Sequence, residues 1–279
     1  GSCSGYPDNG EYDLSFDGDD DYIELPDGMV SSLNDFTFIC WFNTNINDPW
    51  TRLIDFGSST RINMFLTPSY GGTNIPRFAI KQEGGGEQQI TSSSPLNQGQ
   101  WYHIAVTIDD STNTGKMYLD GTLIAENNSM TIRPSSLGNT TNNYFGKSQY
   151  NDPYLDGMMD DISIWGRSLD QNEIQSSMYT SFNGDENGLQ GYWKFNAGAD
   201  TIAYDHSGNA NHGDINGASW IVSQTPAEIS VSPSELNEQL IEGDSSTQVL
   251  TILNNGDADL VWEINTSSRN AQLLNPHDI

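Results

Sequence analysis

The chain has 279 residues, of which 38 are acidic and 10 basic, for a formal net charge of -28 at pH 7. Such a field repels phosphate backbones and anionic lipid and argues against nucleic acid as a partner. No apolar stretch of about 18 residues or more is present to cross a bilayer, and the opening lacks the basic and apolar regions of a retained signal peptide.

Short apolar alternations bounded by Gly, Asn and Asp predict strands over 12–16, 22–25, 36–42, 52–56, 63–67, 77–81, 101–108, 116–119, 122–125 and 161–165. In the third of these, Cys40 shares its phase with Phe36, Phe38 and Phe42, which puts it on the buried face as a free thiol. A bridge from Cys40 to Cys3 near the terminus is not required. Asp120-Gly121 is a dipeptide that a tight hairpin favours, because both residues tolerate positive φ. So many strands and turns mean a sandwich or barrel. Helix is confined to one short turn over 168–175, with Ser168 as its cap and acidic residues in its first turn.

Farther along, 189–195 and 218–220 read as strands around a Gly/Asn loop over 205–213. Near Ser223 to Pro226 the composition shifts to Glu, Ser and branched residues, and 228–232, 247–254 and 259–264 alternate again. Those strands are too few for a closed sandwich of their own. The expected organisation is therefore one large domain over 1–222, followed over 223–279 by the opening part of an immunoglobulin-like spacer and a tail.

Two acidic runs stand out, Phe16-Asp17-Gly18-Asp19-Asp20-Asp21-Tyr22-Ile23 and Asp156-Gly157-Met158-Met159-Asp160-Asp161-Ile162. Both read as strand ends, and the first and last strands of an antiparallel sandwich commonly lie side by side. Hard oxygen ligands brought together in this way suit calcium. The expected side-chain ligands are Asp17 and Asp161, helped by Asp160 and carbonyls near Gly18, and the role is structural. The plainer alternative is that Asp17-Gly18 makes a turn and Asp160-Asp161 faces solvent. No Cys/His cluster offers a zinc site.

Residues 12 to about 178 resemble the laminin G-like, concanavalin A-like jelly-roll domains that bacteria attach to secreted polysaccharide-acting enzymes and surface proteins. The resemblance rests on Ser15-Phe16-Asp17-Gly18 with Asp21-Tyr22-Ile23, on Asp35-Phe36-Thr37-Phe38 before Trp41, and on Ile54-Asp55-Phe56-Gly57. It is carried further by Trp101-Tyr102-His103-Ile104-Ala105-Val106-Thr107, Tyr118-Leu119-Asp120-Gly121 and Gly157-Met158-Met159-Asp160-Asp161-Ile162. Two other pieces, 64–68 with 77–80 and the run 138–150, look like the subset found beside arabinan- and xylan-active hydrolases. The resemblance implies an all-β, two-sheet antiparallel jelly-roll sandwich, a structural calcium ion and, often, carbohydrate contact.

Sugar recognition needs aromatic platforms and planar polar groups, because pyranose faces are weakly apolar while their hydroxyls demand directed partners. Trp50, Arg52, Arg61, Tyr70, Tyr144, Gln149, Tyr150 and Tyr154 are the candidates, with Asn63 and Asp152 beside them. Each arginine needs an acidic partner such as Asp55 or an anionic ligand. Packing within the core or the loops is the competing role for any one of these aromatics. No paired-carboxylate Glu-x-Asp-x-x-Glu motif, Gly-x-Ser-x-Gly elbow or credible Ser/His/Asp set supports catalysis. The expectation is a non-catalytic module of a secreted or surface protein that binds extracellular polysaccharide beside neighbouring domains of a larger parent chain. The rival reading is a structural or protein-binding adhesin domain.

Overall fold

The computed structural model describes residues 5–45, 48–223, 229–232 and 251–254. In chain order the strands are β1 Tyr12–Asp17, β2 Tyr22–Glu24, β3 Phe36–Thr44, β4 Ile54–Ser59, β5 Ile62–Thr67, β6 Arg77–Lys81, β7 Gln88–Thr91 and β8 Trp101–Asp109. They continue as β9 Thr114–Leu119, β10 Thr122–Asn127, β11 Asn142–Phe145, β12 Asp156–Trp165, β13 Leu189–Trp193, β14 Ile202–Ala203, β15 Gly213–Asn216 and β16 Ser219–Val222. One α-helix, α1 Gln171–Ser177, follows β12.

These strands form two antiparallel sheets. The first runs β10-β9-β8-β3-β12-β1-β16, with β13 pairing β12, and the second runs β14-β15-β2-β11-β4-β5-β6-β7. Alternation decides which side chains face inward. Phe38 and Phe42 of the first sheet meet Phe56, Phe78 and Phe145 of the second in one apolar core, which Trp193 joins. This is the expected jelly-roll sandwich. Cys40 is a buried free thiol within the core, and Cys3 lies outside the described residues. On the outside of the first sheet, α1 and the chain around it cover a smaller cluster that includes Ile39, Trp165, Leu169, Ile174 and Tyr192.

Four strands escape the sequence-based expectation: β7, β11, β14 and β15. In β11 the polar Asn142-Asn143 hides the pattern, yet Asn143 is buried and its amide donates to the Pro26 and Thr140 carbonyls. β12 begins at Asp156 rather than 161, because its alternation is broken by a bulge. The register against β3 shifts between Asp160 and Ser163, and Asp161 takes φ +45°. Asp170, not Ser168, caps α1: its carboxylate accepts from Glu173 N–H while Glu173 reaches back to Asp170 N–H.

The chain divides into two compact units, 1–224 and 225–279. In the second, Ile229–Ser232 pairs antiparallel with Thr251–Asn254. The remainder of the immunoglobulin-like reading, including 259–264, lies outside the described residues.

Candidate functional site: the outer face of the second sheet

Inward-facing Ile23, Phe145, Ile54, Phe56, Met64, Leu66 and Phe78 leave the alternate residues of the second sheet on its outer face. Hydrogen-bond register places Tyr144, Asp55, Phe65 and Ala79 in one row across β11, β4, β5 and β6. The loop 146–155, between β11 and β12, folds back over this row. Gly57 makes the approach possible, since a Cβ there would collide with the Ile62 carbonyl and the Gln149 amide.

Beneath the loop lies a buried polar network. Asp55 is fully buried and accepts from Gln149 Nε2 at 2.6 Å, Gln149 N–H at 3.1 Å and Arg52 Nε at 3.4 Å. Arg52, only 2% exposed, also donates to Asp152 at 2.9 Å and to the Trp50 carbonyl, and its guanidinium lies 4.1 Å from the Phe65 ring centroid. Burial pushes the Asp55 carboxyl up and the Arg52 guanidinium down, and the charge of each opposes the shift of the other. Arg52 thus has the Asp55 partner expected from its sequence, and its role is to bind the loop to the sheet.

Two aromatic groups flank the network. On one side Trp50 and Tyr70 pack edge to face at 5.6 Å, and the Arg77 guanidinium lies 3.6 Å from the Tyr70 centroid. On the other, Tyr22 contacts Tyr144 at 5.6 Å and Tyr154 at 6.3 Å, with Lys147 Nζ 3.7 Å from the Tyr22 centroid. Tyr150, 36% exposed, crosses the middle; its hydroxyl donates to the Thr60 carbonyl and receives from Asn63. Trp50, Arg52, Tyr70, Tyr144, Gln149, Tyr150 and Tyr154 therefore gather on this face. Arg61 does not join the network: it sits exposed at the β4–β5 turn with no described side-chain partner. Tyr22, Phe65, Arg77 and Lys147 were missed. Alternation through β2, β5 and β6 could have found the first three, whereas the position of Lys147 depends on the fold of the loop.

The acidic residues separate into two groups. β1 and β12 do lie side by side, with Asp17 opposite Asp156. The carboxylates of Asp17, Asp20 and Asp21 can approach one point, all within 4.8 Å of one another. Asp160 lies four residues beyond Asp156 along β12, roughly 13 Å away, so it and Asp161 are not brought to Asp17. Asp160 is buried in the outer side of the first sheet and its Oδ1 has no hydrogen-bond partner among the described residues. Burial and the neighbouring Asp161 hold its carboxyl well above the usual range. Asp161, which accepts from the Tyr192 hydroxyl at 3.0 Å, is pushed up to about 6, chiefly by burial. Buried Asp13 adds its negative charge to both.

Among solved structures, the chain is similar to a protein of Bacteroides ovatus described as carbohydrate-binding, with TM-score 0.61 and 17% identity, covering 77% of this chain and 61% of that one. The carbohydrate-binding module CBM40 of the Ruminococcus gnavus IT-sialidase, bound to α2,3-sialyllactose, matches with TM-score 0.51 and 13% identity, covering 63% and 98%. Domain 4 of the Geobacillus stearothermophilus arabinanase AbnA, in complex with arabinotriose, matches with TM-score 0.50 and 19% identity, covering 58% and 74%. At these identities the likeness is one of fold. No curated protein sequence matches. The sequence profile of the concanavalin A-like lectin/glucanase superfamily matches residues 17–175, more than half of the chain. With its two facing antiparallel sheets, the chain belongs to that superfamily.

Proposed function

We propose that this chain is a non-catalytic, extracellular carbohydrate-binding module whose sugar site is the outer face of the second sheet. The observation that carries the reading is Trp50. This bulky residue holds φ +68°, a conformation that costs on the order of 1–3 kcal/mol and persists only where its surroundings enforce it. Its N–H donates to the Ser69 carbonyl at 2.8 Å and its own carbonyl receives Arg52. Buried charge is thus used to hold a half-buried indole beside Tyr70 at the edge of the face. Rigid, partly exposed aromatic planes bounded by amide and hydroxyl groups suit a sugar ring. The carbohydrate-binding domains of similar fold support the same reading.

The test is binding of a neutral or acidic plant polysaccharide by wild type, Trp50→Ala and Tyr70→Ala. The expected result is at least tenfold weaker binding in both variants with nearly unchanged melting temperature. Unchanged binding in both would place the sugar elsewhere.

The reading includes one structural calcium ion, at Asp160 and Asp161 with Asp13 alongside. The donor chemistry fits: these are hard carboxylate oxygens, one of them buried without a partner among the described residues, and a divalent cation would offset the burial and the neighbouring negative charge that raise both carboxyls. Bound there, calcium would neutralise charge and fix the bulge.

A further inference from the structure

Arg52, Arg133, Arg167 and Lys194 each pair with a carboxylate. Arg77 and Lys147 have no such partner among the described residues, although the chain holds 38 acidic residues against 10 basic ones. Both are half-buried, and both rest on tyrosine on the outer face of the second sheet. The Arg77 guanidinium lies over Tyr70, and its Nε donates to Thr91 Oγ1 at 2.9 Å. Its two terminal nitrogens have no hydrogen-bond partner among the described residues. Lys147 Nζ lies 3.7 Å from the Tyr22 centroid and 4.7 Å from that of Tyr144, and it too makes no hydrogen bond among the described residues. A cation partly removed from water loses hydration, and a tyrosine face returns only part of that loss.

Resting on the carbohydrate reading above, we propose that Arg77 with Tyr70 and Lys147 with Tyr22 and Tyr144 are two anion-receiving subsites, and that the ligand is an acidic glycan. The unused guanidinium nitrogens present a planar fork that matches a carboxylate or sulfate group, and the lysine supplies a point charge. The neighbouring rings offer apolar planes to the sugar itself. Tyr144 on β11 and Arg77 on β6 are three strand spacings and two residues along the strand apart, roughly 16 Å, so the subsites serve an extended oligosaccharide rather than a single sugar. Glu24, opposite Tyr144 in register, acts on the Tyr22 and Tyr144 rings and opposes an anion at Lys147; the rest of the net charge of -28 does not forbid binding, because at physiological salt charges beyond about 8 Å are largely screened.

The experiment is calorimetric titration of the full chain with polygalacturonate, a sulfated galactan and a neutral galactan, at low and physiological salt. The proposal expects one of the two acidic polymers to bind, the neutral one to bind at least tenfold more weakly, and added salt to weaken the acidic complex. Which acidic polymer binds distinguishes a carboxylate from a sulfate ligand. Arg77→Gln and Lys147→Gln should each weaken that binding at least fivefold, Lys147→Arg should largely retain it, and all three should melt with wild type. Equal or tighter binding of the neutral galactan, or unchanged affinity in both glutamine variants, would overturn the proposal and leave the carbohydrate reading standing. Failure to bind any of the three polymers would overturn the proposal, and the carbohydrate reading would fall with it only if a wider panel of neutral polysaccharides also failed to bind.

Discussion

At the scale of single residues, Arg52 and Asp55 show how a charge in the wrong solvent is made useful. A buried ion pair adds little net stability over an apolar pair, but removing one partner strands the other and costs about 3–5 kcal/mol. Asp55→Ala is therefore expected to lower unfolding stability by about that amount in chemical denaturation, whereas Arg61→Ala, exposed at its turn, should change it by less than about 0.5 kcal/mol. His103 makes a second prediction. It is buried against Trp41, its Nδ1 lacks a partner among the described residues, and burial lowers its pKa to about 3. The unfolded chain takes up this proton near pH 6.5 and the folded chain does so only near 3, so stability falls as pH drops through that window by about 1.4 kcal/mol per unit. At pH 5 the acid-induced loss in His103→Gln should be smaller than in wild type by about 2 kcal/mol. Equal acid sensitivity would show that the imidazole is protonated in the fold.

At the scale of elements, regular alternation made most strands legible in the sequence: β3, β6 and β8 carry apolar residues that bury themselves at period two. β11 was not legible, because its buried Asn143 gains its energy from two carbonyls that are distant in the chain. β12 was legible only in its second half, because the bulge at Asp161 interrupts the period. Asp160 and Asp161 are kept from Asp17 by the regular run of β12 from Asp156, the register partner of Asp17, a register that the sequence does not state. The calcium proposal makes its prediction here. Calcium should raise the melting temperature of wild type and of Asp17→Asn, but not that of Asp160→Asn. In EDTA, Asp160→Asn should be at least as stable as wild type, since it removes a buried unpaired charge. A calcium response lost in Asp17→Asn and kept in Asp160→Asn would assign the ion to the Asp17, Asp20 and Asp21 group instead.

At the scale of the whole molecule, the two sheets divide the work. The outside of the first is largely covered by α1 and its neighbouring chain. The outside of the second carries the polar network, the aromatic groups and, in Arg77 and Lys147, tyrosine-bound cations with no carboxylate partner among the described residues. The sequence supplied most of the aromatic candidates, because aromatic and arginine side chains stand out in a chain with few cations. It could not show which of them share a surface, since that depends on the register of β11, β4, β5 and β6 and on the return of the loop 146–155. The central claim is that this surface binds sugar. Its most direct test is titration of the intact chain, in calcium, against a panel of plant and algal polysaccharides. The account predicts saturable binding to at least one of them, competed by its free oligosaccharide and weakened by Trp50→Ala. An absence of binding across the panel by a protein that melts cooperatively would contradict it.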